Sequence, residues 1–222
     1  MTRGILLAGN ESVLFSAIAA ETAKKVEQYA AAVIHNPVDI PMNSVESDSS
    51  KGKIPLIWNP GSPISGRTLI LSAENRLGRI NDALLICSPP AVYRPAEALV
   101  PAEIETHVNA MIKGWFFLAR ELAVYFRAKG SGNLALAVPE TGLGGNESAS
   151  DLFGAPVAAL FRAFARELLL SAVAEPFQIL GFSFSEAGQE KEFAAWMFKN
   201  IDEGSKKNSG KWLKFGKFNL FK

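Results

Sequence analysis

The sequence lacks most features that hold small secreted or membrane proteins together. It has one cysteine, Cys87, so no internal disulfide can form. Its 23 Lys and Arg residues are balanced by 22 Asp and Glu, a formal net charge of +1 that gives no bulk attraction to nucleic acid or anionic lipid. No apolar run approaches the roughly 20 residues of a membrane span. We therefore expect a cytoplasmic protein that binds neither nucleic acid nor membrane.

The sequence does contain a series of short, continuous apolar runs that are typical of strands buried on both faces. Helical patterns separate most of these runs, which favours a parallel sheet with helices on both sides. The predicted fold class is α/β: a Rossmann-like, doubly wound parallel sheet in three α/β/α layers, formed by one domain over residues 1–222. The predicted strands are 5–8, 30–34, 54–58, 83–87, 134–138 and 177–184, with a terminal strand at 211–222.

The longer helical patterns indicate a contact between subunits. A helix is predicted over 65–77, whereas the polar segment 43–53 is predicted to be a loop. Helix 104–126 has two apolar stripes side by side, and helix 156–174 is similarly wide. Because one sheet cannot cover both stripes, we expect these two helices to pack against another subunit, in a homo-oligomer or a hetero-oligomer.

Four segments, taken in order, resemble the short-chain dehydrogenase/reductase (SDR) family. The first is Gly9, directly after the first strand. The others are GRINDALLICSPP (78–90), HVNAMIKGWFFLARELAVYFRAKGSGNLALAV (107–138) and APVAALFRAFAREL (155–168). This resemblance covers nearly the whole chain and implies a Rossmann-type fold, an NAD or NADP cofactor, and oxidoreductase activity.

The cofactor motif that the resemblance implies is incomplete. Family members hold the pyrophosphate on a loop with three glycines. In this chain the first is Gly9, but the second and third positions are occupied by Val13 and Phe15. The position that reads the ribose falls at 35–37, His-Asn-Pro, which has neither a carboxylate nor an arginine. We therefore expect a closed phosphate site and no cofactor.

The catalytic positions that the resemblance implies are also changed. The family uses an Asn, a Ser, a Tyr and a Lys four residues after the Tyr. Asn109 matches the first, but the Ser, Tyr and Lys positions fall on Pro139, Ser150 and Gly154. No Tyr follows Tyr125, so the usual proton transfer has no phenol.

Other residues of the sequence are candidates for a replacement catalytic or binding site. His35 and His107 lie in separate segments without a ligand cluster, so no metal site is predicted. The Gly-rich segment 139–148 lacks the Lys-Ser/Thr ending of a phosphate-binding P-loop. The candidate crevice residues are Cys87, Ser88, Asn109 and Glu140. Cys87 could be a nucleophile or simply a small buried thiol.

Two hypotheses follow. The first is a pseudoenzyme: a non-catalytic SDR homologue that acts as a structural or binding subunit, in one form paired with an active SDR subunit. The alternative is an NAD(P)-dependent oxidoreductase of this superfamily with an atypical site that uses Glu140, Ser150 or Cys87.

Overall fold

The computed structural model describes residues 3–34, 52–88, 93, 95–140, 152–204 and 208–216. Within these ranges, seven strands form one parallel sheet, in the order β3-β2-β1-β4-β5-β6-β7. The strands are β1 (Ile5–Asn10), β2 (Tyr29–Ile34), β3 (Lys53–Leu56), β4 (Asp82–Ile86), β5 (Asn133–Pro139), β6 (Gln178–Phe184) and β7 (Lys211–Phe215). The predicted α/β, doubly wound fold class is confirmed.

The described residues form six α-helices that connect or flank these strands. They are α1 (Val13–Lys25), α2 (Pro63–Leu77), α3 (Pro101–Val108), α4 (Gly114–Lys129), α5 (Gly154–Ser171) and α6 (Glu190–Asp202). The described residues also form 3-10 turns at Ala96–Ala98 and Ala172–Ala174. None of the described helices is both long enough and apolar enough to cross a membrane.

The helices divide into two layers, each with its own apolar core. One cluster of buried residues joins the sheet to α2, α4 and α5, and the other joins it to α1 and α6. The strands in the middle of the sheet are buried almost completely, because both faces of a parallel sheet are covered. The result is the predicted three-layer arrangement.

The helix predicted over 104–126 is longer and is interrupted. It consists of α3, one π-helical turn at Asn109–Lys113, and α4. Part of the second apolar stripe is buried within the chain, because Ala119 and Phe126 belong to the same core as Leu118 and Leu122. Phe116, by contrast, remains half exposed beside Phe164 of α5, with ring centroids 4.3 Å apart.

Other predicted boundaries shift by a few residues. Helix α2 begins two residues earlier than predicted, at Pro63, and α5 begins at Gly154, so Pro156 lies in its first turn as expected. The terminal strand is an edge strand with Lys211 and Lys214 exposed, which accounts for its alternation of lysine and aromatic residues. Residues 43–51 and 217–222 lie outside the described part of the chain, and so do 35–37. The prediction of one domain over 1–222 stays a prediction.

Helix α6 was missed by the sequence analysis. Its buried residues are Phe193, Ala194, Met197, Phe198 and Ile201. The last four lie one, four, five and eight positions after Phe193, which is the spacing of one face of a helix. Charged residues at 190–192, 199 and 202 surround this narrow stripe and obscure it in the sequence. The described part of the chain thus has a helix opposite α4 and α5 that completes the second outer layer.

Candidate functional site

The fold's usual ligand site lies at the carboxyl ends of β1 and β4. The strand order reverses between these two strands, and ligands of open α/β sheets bind in the crevice at such a switch point. The register pairs Gly9 with Ile86, so the next residues, Asn10 on one side and Cys87 and Ser88 on the other, border the crevice. Of these three residues, Cys87 and Ser88 were predicted from the sequence to border the crevice, whereas Asn10 was not.

Asn10 and Ser88 form a reciprocal pair of hydrogen bonds across the switch point. The Ser88 backbone N–H donates to Asn10 Oδ1 at 2.9 Å, and Asn10 Nδ2 donates to the Ser88 carbonyl. Asn10 is 4% exposed. The Asn10 side chain therefore links the ends of β1 and β4. Its amide oxygen and nitrogen bond to Ser88 and are not available to a ligand.

The turn into α1 satisfies its own helix N-terminus. Ser12 is the N-cap, and its Oγ accepts from the Phe15 N–H at 3.1 Å. Val13 is the first helical residue, and none of the described non-glycine residues has positive φ. The Val13 side chain is 71% exposed at this helix end, where a glycine would leave the backbone accessible.

Phe15, at the position of the family's third glycine, turns inwards from the start of α1. It is 4% exposed and packs into the core between the sheet and α1. A Cβ added to Gly9 would lie 2.9 Å from a Phe15 ring carbon and 2.6 Å from the Ile86 carbonyl oxygen. Gly9 is thus required by close packing against Phe15 and β4, so its presence does not by itself indicate a pyrophosphate.

Of the matched Ser, Tyr and Lys positions, the two that the structure describes contain no group that transfers a proton. Pro139 ends β5, and Gly154 is the buried first residue of α5. Ser150 lies outside the described residues. Phe153, directly before Gly154, stacks on His107 with ring centroids 4.6 Å apart.

Asn109 begins the π-helical turn and is held by its own segment. Its Oδ1 accepts from Lys113 Nζ at 2.9 Å. The turn after β3 lies against the same region: a Cβ on Gly61 would be 3.4 Å from the Asn109 Cβ, and one on Gly114 would be 2.4 Å from Pro60. Asn109 therefore occupies the position of the family's asparagine, but its side-chain oxygen accepts a hydrogen bond from Lys113.

Glu140 lies in a polar chain across the carboxyl ends of β5, β6 and β7. Lys214 Nζ lies 2.9 Å from Glu140 Oε1, and Ser183 Oγ donates to the same oxygen at 3.2 Å. Trp212 Nε1 in turn donates to Ser183 Oγ at 2.9 Å. The hydrogen bond from Lys214 holds the pKa of Glu140 below its ordinary value, with smaller contributions from Ser183 and the Arg162 charge.

Cys87 is fully buried on the side of the sheet that α2, α4 and α5 cover. Burial raises the pKa of its thiol, and the charge of Arg162 opposes this only in part. A thiol with a raised pKa is protonated at neutral pH, which is the opposite of what a nucleophile needs. The geometry thus favours the small buried thiol of the two alternatives.

Ser183, Lys214 and Arg162 were missed by the sequence analysis. The register of β5, β6 and β7 brings Ser183 and Lys214 to Glu140. The sequence does not reveal this register, so the contact could not be predicted. Arg162 lies in α5, and in the sequence it looks like an ordinary polar residue of an amphipathic helix. Among the described residues, no group of three or more His, Cys, Asp or Glu has the geometry to hold a metal ion.

The sequence has no significant match to a protein-family model or to a curated protein. Solved structures do resemble it. A short-chain dehydrogenase from Mycobacterium smegmatis superposes with a TM-score of 0.74 at 16% identity, covering 99% of this chain and 94% of that one. A short-chain type dehydrogenase/reductase from Mycobacterium marinum gives 0.76 at 13%, covering 96% and 93%.

An NADPH-dependent 3-quinuclidinone reductase from Rhodotorula rubra is also similar, with a TM-score of 0.71 at 16% identity over 96% of this chain and 90% of that one. These likenesses extend over nearly full lengths on both sides. The chain therefore has the fold of the short-chain dehydrogenases/reductases, as the sequence analysis predicted.

Proposed function

We propose that this protein is a non-catalytic homologue of the SDR family that acts as a structural or binding subunit without a nicotinamide cofactor. It keeps the family's sheet and outer helices, and its former active site has become part of the packing. A cytoplasmic location belongs to this proposal and rests on the single cysteine.

The observation that carries the proposal is the closure of the switch point. Asn10 and Ser88 use their hydrogen-bonding groups on each other, and Phe15 packs on Gly9. A dinucleotide needs glycines that let its pyrophosphate approach the backbone, and it needs free donors at the helix end. The residues present do not fit NAD or NADP.

The loss of chemistry is a second, independent support. Transfer of a hydride to or from a carbonyl also needs a group that gives or takes the proton. The described matched positions have Pro139 and Gly154 in place of the Ser and the Lys, and the sequence has no Tyr after Tyr125. Cys87 is buried and Asn109 is bonded to Lys113, so neither supplies that group.

The subunit contact is proposed on the outer faces of α4 and α5. Phe116 and Val124, two turns apart on α4, are 48% and 51% exposed, and Leu170 of α5 is 74% exposed. A helix face with several half-exposed large apolar residues is typical of an interface. We expect pairing through helices 104–126 and 156–174, either with an identical chain or with an active SDR subunit.

The alternative, an atypical NAD(P)-dependent oxidoreductase, is favoured by one observation. The charge of Arg162 in α5 acts to lower the pKa of both Cys87 and Glu140, so this helix supplies a cation where the family's lysine is absent. The similar reductase from Rhodotorula rubra is NADPH-dependent. An arginine does not replace a proton donor, because it stays protonated at all ordinary pH values.

Calorimetric titration with NADH and with NADPH, each to about 1 mM, separates the two functions. We expect no saturable heat with either nucleotide. Binding tighter than about 0.1 mM, or roughly −5.5 kcal/mol, would reject the cofactor-free proposal and place the oxidoreductase first.

Light scattering after size-exclusion chromatography tests the subunit contact. We expect Val124→Glu on α4 to shift the protein towards a monomer. Leu71→Glu on α2 is the matched control, since Leu71 is also 50% exposed but lies outside the proposed face. If the parent is an oligomer, equal behaviour of both variants and the parent would contradict the α4–α5 interface. A stable homo-oligomer of the protein alone would contradict pairing with an active relative.

A further inference from the structure

The amino edge of the sheet carries a groove that lies opposite the switch point. Its volume is about 610 Å³, and it is formed by the turns that precede β4, β5, β6 and β7. Its polar lining comes from Arg79, Asn81, Ser131, Asn133, Glu175, Gln178 and Ser209. Of its lining, only Ala172 and Val173 fall within the segment 156–174 of the proposed subunit contact.

Arg79 is the unusual residue of this lining. It is half buried, and among the described residues no carboxylate lies within ion-pair distance of it. Its Nη2 donates to Ser131 Oγ at 2.6 Å and reaches the Ser131 carbonyl at 3.4 Å. Its Nε is buried and has no acceptor. A partly desolvated guanidinium without a counter-charge is unfavourable unless an anion binds beside it.

The other charge in the groove is already neutralised. Glu175 accepts two hydrogen bonds from the Arg127 guanidinium, with Arg127 Nε 2.7 Å from Oε2. Asn81 Oδ1 accepts from the Gly4 N–H at 2.9 Å, which leaves its amide NH2 as a donor. Together with the hydroxyls of Ser131 and Ser209, the groove therefore presents one uncompensated positive charge and several donors.

The groove also has an apolar side. Phe177, Pro176 and Val173 line it, and Val173 is almost entirely exposed at its rim. We propose that the groove binds a small organic anion, whose carboxylate or phosphate group lies against Arg79 and whose apolar part covers Pro176 and Val173. This proposal does not depend on whether the protein is a pseudoenzyme.

The test uses amide NMR spectra of the full-length protein with three probes: phenyl phosphate, benzoate and the neutral benzyl alcohol, each to about 10 mM. We expect one or both anions to bind with a dissociation constant of about 1 mM and to shift the amides of Ser131, Gly132 and Ser209. Saturation by phenyl phosphate alone identifies a phosphate ester as the ligand class, and saturation by benzoate alone identifies a carboxylate. Higher salt should weaken either complex.

Arg79→Gln should weaken binding at least about tenfold, whereas Arg76→Gln is the matched control. Arg76 is exposed in the last turn of α2 and does not line the groove. The proposal is overturned if neither anion saturates, if benzyl alcohol binds equally well, if the shifts lie elsewhere, or if Arg79→Gln binds as the parent does. If Arg79→Gln fails to fold, the parent protein provides the test. Anion-induced shifts away from Ser131, Gly132 and Ser209, or binding that higher salt does not weaken, would overturn the proposal.

Discussion

The two edges of the sheet differ in how their polar groups are satisfied. At the carboxyl edge, where this fold normally binds ligands, Asn10 pairs with Ser88 and Glu140 pairs with Lys214 and Ser183. At the amino edge the carboxylates are paired as well, but Arg79 faces a groove without a counter-charge. The difference shows that the position of a site within a fold does not settle where a particular chain binds, because internal pairing can close the usual crevice.

The largest expected effect comes from Gly9, where the closed edge is packed most tightly. In Gly9→Ala the new Cβ would meet the Ile86 carbonyl at 2.6 Å, and a backbone group in a central strand cannot move aside. We expect a loss of about 3 kcal/mol in the free energy of unfolding, measured by urea denaturation. A loss of this size would support the close packing of Gly9 against β4 at the carboxyl edge of the sheet.

Gly66→Ala is the matched control for this substitution. Gly66 is also buried, but a Cβ there would have its nearest contact at 3.6 Å, so the helix should gain up to about 1 kcal/mol. If Gly9→Ala proved as stable as the parent, the strand end would be looser than described and could admit a phosphate.

The next effect concerns the bridge between β1 and β4. Asn10→Ala removes both hydrogen bonds and leaves the Ser88 groups without their partner, which should cost about 2 kcal/mol. Asn59→Ala, at an exposed turn with one hydrogen bond to the Gly61 N–H, should cost less than about 1 kcal/mol. Denaturant titration of the two variants compares them directly.

The same Asn10 variant sharpens the functional comparison. We expect it to bind NADH no better than the parent does, since Phe15 still packs on Gly9. A gain of nucleotide binding in Asn10→Ala would mean that the amide bridge alone had closed the crevice, and that the family's cofactor site is otherwise intact.

Most of the fold could be predicted from the sequence. Its strands are continuous apolar runs, and the spacing of apolar residues identifies most of its helices. Helix α6 shows where this fails: its narrow apolar stripe is surrounded by charged residues. The closed site could be predicted only in outline. The positions of Val13 and Phe15 indicated an unusual loop, but the sequence cannot show that Phe15 turns into the core.

The long-range pairs were inaccessible for a different reason. Asn10 and Ser88 are 78 residues apart, and Glu140 meets Ser183 and Lys214 only through the register of three strands. Register depends on packing against both helix layers, so no local pattern in the sequence specifies it.

The smallest expected effect is the pH dependence of the Glu140 pair. Because the pKa of Glu140 is lowered in the folded state, its contribution to stability is complete above its unfolded pKa. That contribution is lost as the pH falls from there through the folded value. Lys214 is largely exposed, so solvent screening limits the effect to less than about 1 kcal/mol.

Thermal unfolding between about pH 3 and pH 7 measures this term. Lys214→Met should flatten the acid side of the profile relative to the parent, whereas Lys211→Met, at the other exposed lysine of β7, should leave the profile unchanged. If both variants followed the parent profile, Lys214 would contribute nothing to the carboxyl edge. The contrast between the two edges would then rest on Asn10, Ser88 and Phe15 alone.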